Sequence, residues 1–387
     1  MQKGYKNTLA TLLIAGLCWT PSQAATLTEI NGTKVTMKGY VKFDALVSNY
    51  SDGELSAGNL GRDFYLPPLI PVGGESSSAV TDFHARQSRI SFGTSTQLDE
   101  DTVETYFEFD FLVTPDGNER VSNSYEPRMR HAYLKYNNWL LGQTWTTFMN
   151  VGALPDSLDF IGNADATIFV RQAQVRYSAG PWQFALENPE TTVTPFGGGG
   201  RIVTDDNLAP DAVVRYNYKH GKLSLVTAAL LRQLSYDDGN GIDDTEVSFG
   251  LSISGRYQFT SDDIRFVLNS GRGLGRYIGL NLANGAVLDA GGDLEAIDST
   301  GYAIAYRHFW NSQWRSSFIY SAIDIDNDTD LTGTGVSEST QSTRLNLIYS
   351  PTPRLSVGAE LSYASRDLES GADGDMNRLQ LSAKLTF

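Results

Sequence analysis

The chain has 387 residues and a formal charge of −15, with 11 % aromatic residues, 19 % charged residues and 37 glycines. This aromatic content is too high for a disordered chain, the acidic balance argues against a general nucleic-acid binder, and one cysteine excludes a disulfide framework or thiolate zinc site within the chain. No run of eighteen apolar residues occurs, which excludes a polytopic helical membrane protein but not a membrane β-barrel, whose strands are only half apolar.

The N-terminus reads as an export signal. Lys3 and Lys6 precede an apolar run from Leu9 to Trp19, and Pro21-Ser22-Gln23-Ala24 follows with small residues at Ser22 and Ala24. That order predicts a secretory signal over residues 1–24, cleaved after Ala24. Leu17 is too bulky for a lipoprotein signal at Cys18. Cleavage would leave a mature chain without cysteine, a short periplasmic lead over residues 25–34, and a barrel over 35–387.

From Val35 onward apolar and polar residues alternate, the period of a strand with two unlike faces. Val103, Thr105, Phe107, Phe109, Phe111 and Val113 share one face, with Glu104, Tyr106, Glu108 and Asp110 on the other. Later segments alternate in the same way, from Val247 to Phe259 and from Leu379 to Phe387. A soluble sandwich would alternate too, so the connections carry the distinction.

Short turns are predicted at 99–101, 137–138, 178–181, 219–222, 260–263, 310–313 and 350–354. Between them lie polar connections at 49–81, 114–127, 146–168, 189–210, 235–245, 271–298, 324–340 and 367–376. Seven short turns interleaved with eight long loops imply sixteen strands. This is the pattern of a transmembrane antiparallel β-barrel with short periplasmic turns and long extracellular loops. Aromatic residues beside the short turns (Tyr136 and Trp139, Tyr177 and Trp182, Trp310 and Trp314) suit a belt at the bilayer interface. The chain closes on Phe387 after an alternating strand, which resembles the assembly signal of outer-membrane barrels.

Charge is partitioned by place. The eight long connections hold 30 acidic and 5 basic residues, whereas the rest of the mature chain holds 15 acidic and 23 basic. Arg or Lys facing lipid at the midplane costs about 2–4 kcal/mol, so strand charges belong in a watery lumen. Parity sends Arg89, Arg176 and Arg215 inward. Arg128 and Arg130 share a face, but His131 and Lys135 occupy the other, and a bulge would reconcile them. Arg86, Arg171, Arg232 and Arg315 are expected in salt bridges at the rims. The third long loop, 146–168, combines Asp156, Asp159 and Asp165 with Phe148, Met149, Leu154, Leu158, Phe160 and Ile161. So many apolar side chains predict a loop folded inward against the wall, where it would narrow the lumen.

Several motifs resemble those of the DcaP-like outer-membrane porins. They include Gly142 to Phe148 (GQTWTTF), Pro155 to Phe160 (PDSLDF), Ala85 to Arg89 (ARQSR), Glu108 to Phe111 (EFDF), Arg128 to Tyr133 (RMRHAY), Arg171 to Tyr177 (RQAQVRY) and Leu186 to Pro189 (LENP). In order and spacing they cover roughly residues 36–190. The resemblance implies a homotrimer of sixteen-stranded porins with an inward third loop, passing small anionic solutes such as dicarboxylates. It places Arg89, Arg128, Arg130 and Arg176 on a basic wall, with Glu108 and Asp110 opposite or nearby. Members often begin with a helical, coiled-coil-like periplasmic segment, whereas only Ala25 to Lys34 precede the first strand here.

Catalytic signals are weak. His84, His131, His220 and His308 lie outside any HExxH motif, no G-x-S-x-G elbow occurs, and Gly271 to Arg276 lacks the third glycine of a phosphate loop. Asp324 to Asp330 begins like a calcium loop but has Thr329 where glycine is required. This segment and Asp237-Asp238 with Asp243-Asp244 read as solvated tips, or as weak bridges through divalent cations to lipopolysaccharide phosphates.

The sequence thus predicts an outer-membrane porin without cofactor, metal or catalytic step. Its constriction would draw on Arg89, Arg128, Arg130, Arg176, Arg215, Glu104, Glu108, Asp110, Asp156 and Asp159, and its partners would be outer-membrane lipid, lipopolysaccharide and small anionic solutes. The alternatives are a nonspecific diffusion porin, an outer-membrane barrel enzyme, and a non-membrane β-rich adhesin or carbohydrate-binding protein.

Overall fold

The computed structural model describes residues 25–113, 117–118 and 122–387. The expected signal segment, 1–24, and part of the second long loop lie outside the described residues. Among those residues, sixteen antiparallel strands close into one barrel. In chain order they begin with β1 (Thr33–Tyr50), β2 (Val80–His84 continued by Arg89–Leu98), β3 (Asp101–Asp110), β4 (Arg128–Tyr136) and β5 (Trp139–Trp145). Next come β6 (Arg171–Ala179), β7 (Trp182–Glu187), β8 (Asp211–His220), β9 (Leu223–Asp237), β10 (Asp243–Gln258) and β11 (Asp263–Arg272). The last five are β12 (Asp298–Phe309), β13 (Trp314–Asp326), β14 (Ser337–Tyr349), β15 (Leu355–Leu368) and β16 (Asp373–Thr386). Each strand pairs with the next, and β1 closes on β16 from Tyr40 opposite Thr386 to Tyr50 opposite Met376.

Closure ends on the terminal residue. The Phe387 N–H donates to Gly39 O at 3.0 Å, and the Gly39 N–H returns a bond to Phe387 O at 3.1 Å. Gly39 permits this approach: a Cβ there would stand 2.6 Å from Arg89 O and 2.7 Å from the Phe387 ring. The predicted lead is itself largely a strand, since Ala25–Ile30 forms a hairpin with the start of β1.

The seven short turns fall where predicted. Four are two-residue hairpin turns, and their first residues, Asp99, Asn137, Gly180 and Gly221, all have positive φ between 52° and 59°. Two connections expected to be long are short: β9 and β10 pair out to Asp237 and Asp243, and β15 and β16 to Asp367 and Asp373. Beyond the bilayer both faces of a ladder can be polar, so alternation ceases before pairing does. The acidic segments tested for calcium cap turns instead. Asp328 accepts the Asp330 N–H at 3.0 Å, and Asp238 accepts those of Asn240 at 2.7 Å and Ile242 at 3.0 Å.

The two barrel faces follow the alternation. On β1, Val41, Phe43 and Val47 are 56 %, 46 % and 41 % exposed, while Lys42, Asp44 and Ser48 are buried inside. Rings pair beside the short turns, with centroids 4.8 Å apart for Trp139 and Tyr177, 4.6 Å for Trp182 and Tyr216, and 4.6 Å for Trp314 and Tyr349.

Two irregularities depart from simple parity. Between β3 and β4 the register slips by one, with Glu108 opposite His131 but Phe109 opposite Met129. This bulge turns both Arg130 and His131 inward. Residues 85–88 leave the ladder in a turn closed by the Ser88 N–H on Ala85 O at 3.0 Å, so Arg86 and Arg89 are both buried despite opposite parity.

Loops fill much of the interior. Loop 1 (51–79), loop 3 (146–170) and loop 6 (273–297) contribute Tyr65, Phe148, Ile161 and Tyr277 to one buried apolar cluster. Loops 4 (188–210) and 6 also join through a parallel pairing of Val193 with Ala286.

Candidate functional site

Loop 3 enters the barrel between β5 and β6 and runs along the inner wall. It is too irregular to satisfy its own backbone, so wall side chains do so. Arg176 donates to Trp145 O at 2.6 Å and Thr147 Oγ1 at 2.7 Å, while Glu187 accepts the Thr147 N–H at 2.6 Å. Farther along, Arg215 holds Met149 O at 2.6 Å, Arg265 donates to Leu154 O, and Arg344 holds Gly162 O at 2.6 Å. At the tip Glu360 accepts the N–H groups of Leu158 at 2.8 Å and Asp159 at 3.2 Å, and Lys42 donates to Leu158 O at 2.7 Å. The predicted inward fold of this loop therefore rests on contacts with strands on nearly every side of the barrel.

Five of the predicted site residues converge on β2, β3 and β4. Arg128 binds both oxygens of Asp110 at 2.9 Å, a bidentate fork. Arg130 donates to Glu108 at 2.7 Å and Asp110 at 2.8 Å. Arg89 stands looser, 3.4 Å from Glu108 and 3.7 Å from Asp110. Three guanidinium groups thus surround two carboxylates. Across from them Phe160 of loop 3 presents its ring 5.5 Å from the Arg130 guanidinium.

The other five lie elsewhere. Glu104 stands opposite Lys135 nearer the short turns. Arg176 and Arg215 secure the first part of loop 3, as described. Asp156 is bound by Arg315 at 2.7 Å and Arg307 at 3.2 Å. Asp159 accepts the N–H groups of Tyr65 at 2.9 Å and of Ile161 and Gly162 at 3.1 Å. These two aspartates tether the loop.

Arg315 stands at the short-turn end of β13, where it binds Asp156 of loop 3 and donates to Ser350 Oγ at 2.8 Å, so its salt bridge forms at that rim on the lumen side. Arg86 pairs with Asp63 of loop 1, and Arg232 donates to Glu190 O at 2.6 Å. Arg171 lies 4.4 Å from the Trp145 ring centroid. Sequence reasoning missed Lys42, Arg307, Glu360 and Lys384, although alternation with Val41 and Phe43 marks Lys42 as inward and alternation with Ala383 and Leu385 marks Lys384 likewise.

Burial pushes the Asp159 carboxyl up, but the Arg344 guanidinium and the Tyr65 N–H outweigh it and hold the group below the usual carboxylate range. The Tyr65 phenol is pushed far above its ordinary value by burial and by Asp165, to which it donates at 2.6 Å. At neutral pH the Tyr65 phenol in the loop 1 to loop 3 contact is therefore neutral. Among the described residues no group of three or more His, Cys, Asp or Glu is arranged to hold a metal ion.

A closed sixteen-stranded barrel, apolar outside, charged inside and narrowed by a tethered third loop, is a porin of the outer membrane. The chain belongs to the DcaP outer membrane protein family, whose model matches residues 24–387. The outer-membrane channel DcaP of Acinetobacter baumannii is 22 % identical and superposes with a TM-score of 0.77 over 94 % of this chain and 100 % of that one. OmpT of Vibrio cholerae, at 12 % identity, gives 0.57 over 93 % and 99 %. An anion-selective porin from Comamonas acidovorans, at 13 % identity, gives 0.53 over 92 % and 100 %. None of the curated proteins matches the chain in sequence.

Proposed function

We propose that this porin passes small hydrophilic solutes by passive diffusion, with a bias toward anions such as dicarboxylates, and that it performs no catalytic step. The observation that carries this reading is the excess of guanidinium over carboxylate where Arg89, Arg128 and Arg130 meet Glu108 and Asp110 opposite Phe160. In a narrow, low-dielectric passage such an excess lowers the cost of an entering anion, and planar guanidinium groups suit carboxylates. Glu108 and Asp110 fix Arg128 and Arg130 through direct hydrogen bonds, so little reorganisation accompanies passage.

The acidic outer loops oppose this bias at the mouth, but water and salt screen them within about 8–10 Å. Homotrimer assembly, contact with lipopolysaccharide and export through cleavage after Ala24 belong to the same proposal. The barrel-enzyme alternative is less well supported, since His84 faces Asp63 O at 3.1 Å and His131 faces Thr144 at 2.9 Å in packed surroundings. Reversal potential across a salt gradient in a planar bilayer tests the proposal. Anion selectivity is the expected result, and clear cation selectivity would overturn it.

A further inference from the structure

On the short-turn side of loop 3 a small cleft, with room for only a few water-sized groups, lies between the loop tip and the inner faces of β15, β16, β1 and β2. Its walls carry three cationic side chains, Lys42, Arg89 and Lys384, and one carboxylate, Asp159, whose oxygens accept loop N–H groups. Lys42 is fully engaged, donating to Gln87 Oε1 at 2.8 Å and Leu158 O at 2.7 Å and pairing with Asp44 at 3.1 Å. Gln87 Nε2 and Arg89 Nε are both buried without an acceptor among the described residues. The Lys384 ammonium stands over the Tyr40 ring, 4.1 Å from its centroid. Ser157 of loop 3 and Ser382 of β16 add hydroxyls to the lining.

Buried donors without acceptors are costly, and an acceptor-rich anion relieves that cost. Room for a few water-sized groups suits one carboxylate head rather than a whole solute. We propose that this space is a carboxylate-holding subsite, separate from the Arg128–Arg130 cluster, at which a permeating anion pauses on the short-turn side of the constriction, and that Lys384 sets its strength. The subsite rests on the anion reading above. Arg89 faces both places, lining the cavity while reaching Glu108 and Asp110, and hands the carboxylate from one to the other.

The test uses the purified, folded porin in planar bilayers with succinate as the probe, reading the half-blocking concentration from current fluctuations. Lys384→Gln should raise that concentration about fivefold, what one partly screened ion pair supplies, and Lys384→Arg should restore it. A second measurement uses Lys384→Cys, since Cys18 is the only cysteine in the sequence and falls in the expected signal. Modification with a cationic thiol reagent should recover succinate block, and an anionic reagent should weaken it further. A half-blocking concentration unchanged in Lys384→Gln, or insensitive to the sign of the attached charge, would overturn the subsite while leaving anion selectivity standing. A cation-selective wild-type channel would instead overturn the anion reading, before any variant is made.

Discussion

The carboxylate of Glu360, on β15, accepts the backbone N–H of Leu158 at the tip of loop 3 at 2.8 Å. The same carboxylate also takes the Asp159 N–H, the Ser157 hydroxyl and the side-chain amide of Asn346. One buried carboxylate therefore gathers the loop tip against β15, three strands round the wall from Arg89 on β2.

Glu360→Gln should loosen the tip without removing the side chain. Each hydrogen bond to a charged group is worth about 1.5–3 kcal/mol, so weakening even one should raise the detached population about tenfold. Single-channel records should show more frequent excursions to higher conductance. A trace as quiet as that of the wild type would mean the remaining tethers hold the tip without Glu360.

Neutralising Arg89, Arg130 and Arg176 together should shift the reversal potential toward cations, and the shares should be unequal. Arg89 lines the cleft beside the loop tip and Arg130 lies behind Phe160, whereas Arg176 is spent on Trp145 O and Thr147. Arg89→Gln alone should move the potential more than Arg176→Gln alone, and the reverse order would place the constriction beside Arg176 rather than Arg89.

The Asp159 tether should depend on acidity. Its carboxyl is held below the ordinary range, so its contribution is complete above the unfolded value of about 3.9 and is lost as pH falls through the lowered folded value. Conductance followed from neutral pH downward should stay steady to about pH 4 and then become noisy. Asp159→Asn should be noisy already at neutral pH.

Gly39→Ala should destabilise the closed barrel. The added methyl would meet Arg89 O at 2.6 Å and the Phe387 ring at 2.7 Å, and overpacking of this kind costs about 1–3 kcal/mol. The unfolding temperature of the detergent-solubilised protein should fall. No shift would imply that the terminal ring moves aside and that the backbone yields near Arg89.

Much of the architecture was legible because barrel strands obey a local rule. Lys42 between Val41 and Phe43, or Arg215 between Val214 and Tyr216, reveals its side of the wall from neighbours alone. Asn137, Gly180 and Gly221 likewise mark turns by their own backbone freedom. Long connections were less legible, because the outer hairpins of β9–β10 and β15–β16 pair without an apolar face to announce them.

The candidate site was legible in composition more than in arrangement. Arg89, Arg128, Arg130, Glu108 and Asp110 were picked out and do meet. Asp156 and Asp159 were picked out for the same passage and are instead bound by Arg315, Arg307 and loop backbone. A charged residue in an irregular loop carries no period from which its direction can be read.

By itself, then, the sequence determined the sixteen-stranded wall, its two unlike faces and the inward tendency of an apolar third loop, since these follow from alternation and from turn residues acting over a few positions. Only the tertiary structure decided that a bulge turns Arg130 and His131 the same way, that the break at 85–88 buries Arg86 with Arg89, and that Glu360 and Lys42 hold the tip of loop 3. Those outcomes depend on groups far apart in the chain satisfying one another's charges and hydrogen bonds inside a closed space, and no local pattern encodes that.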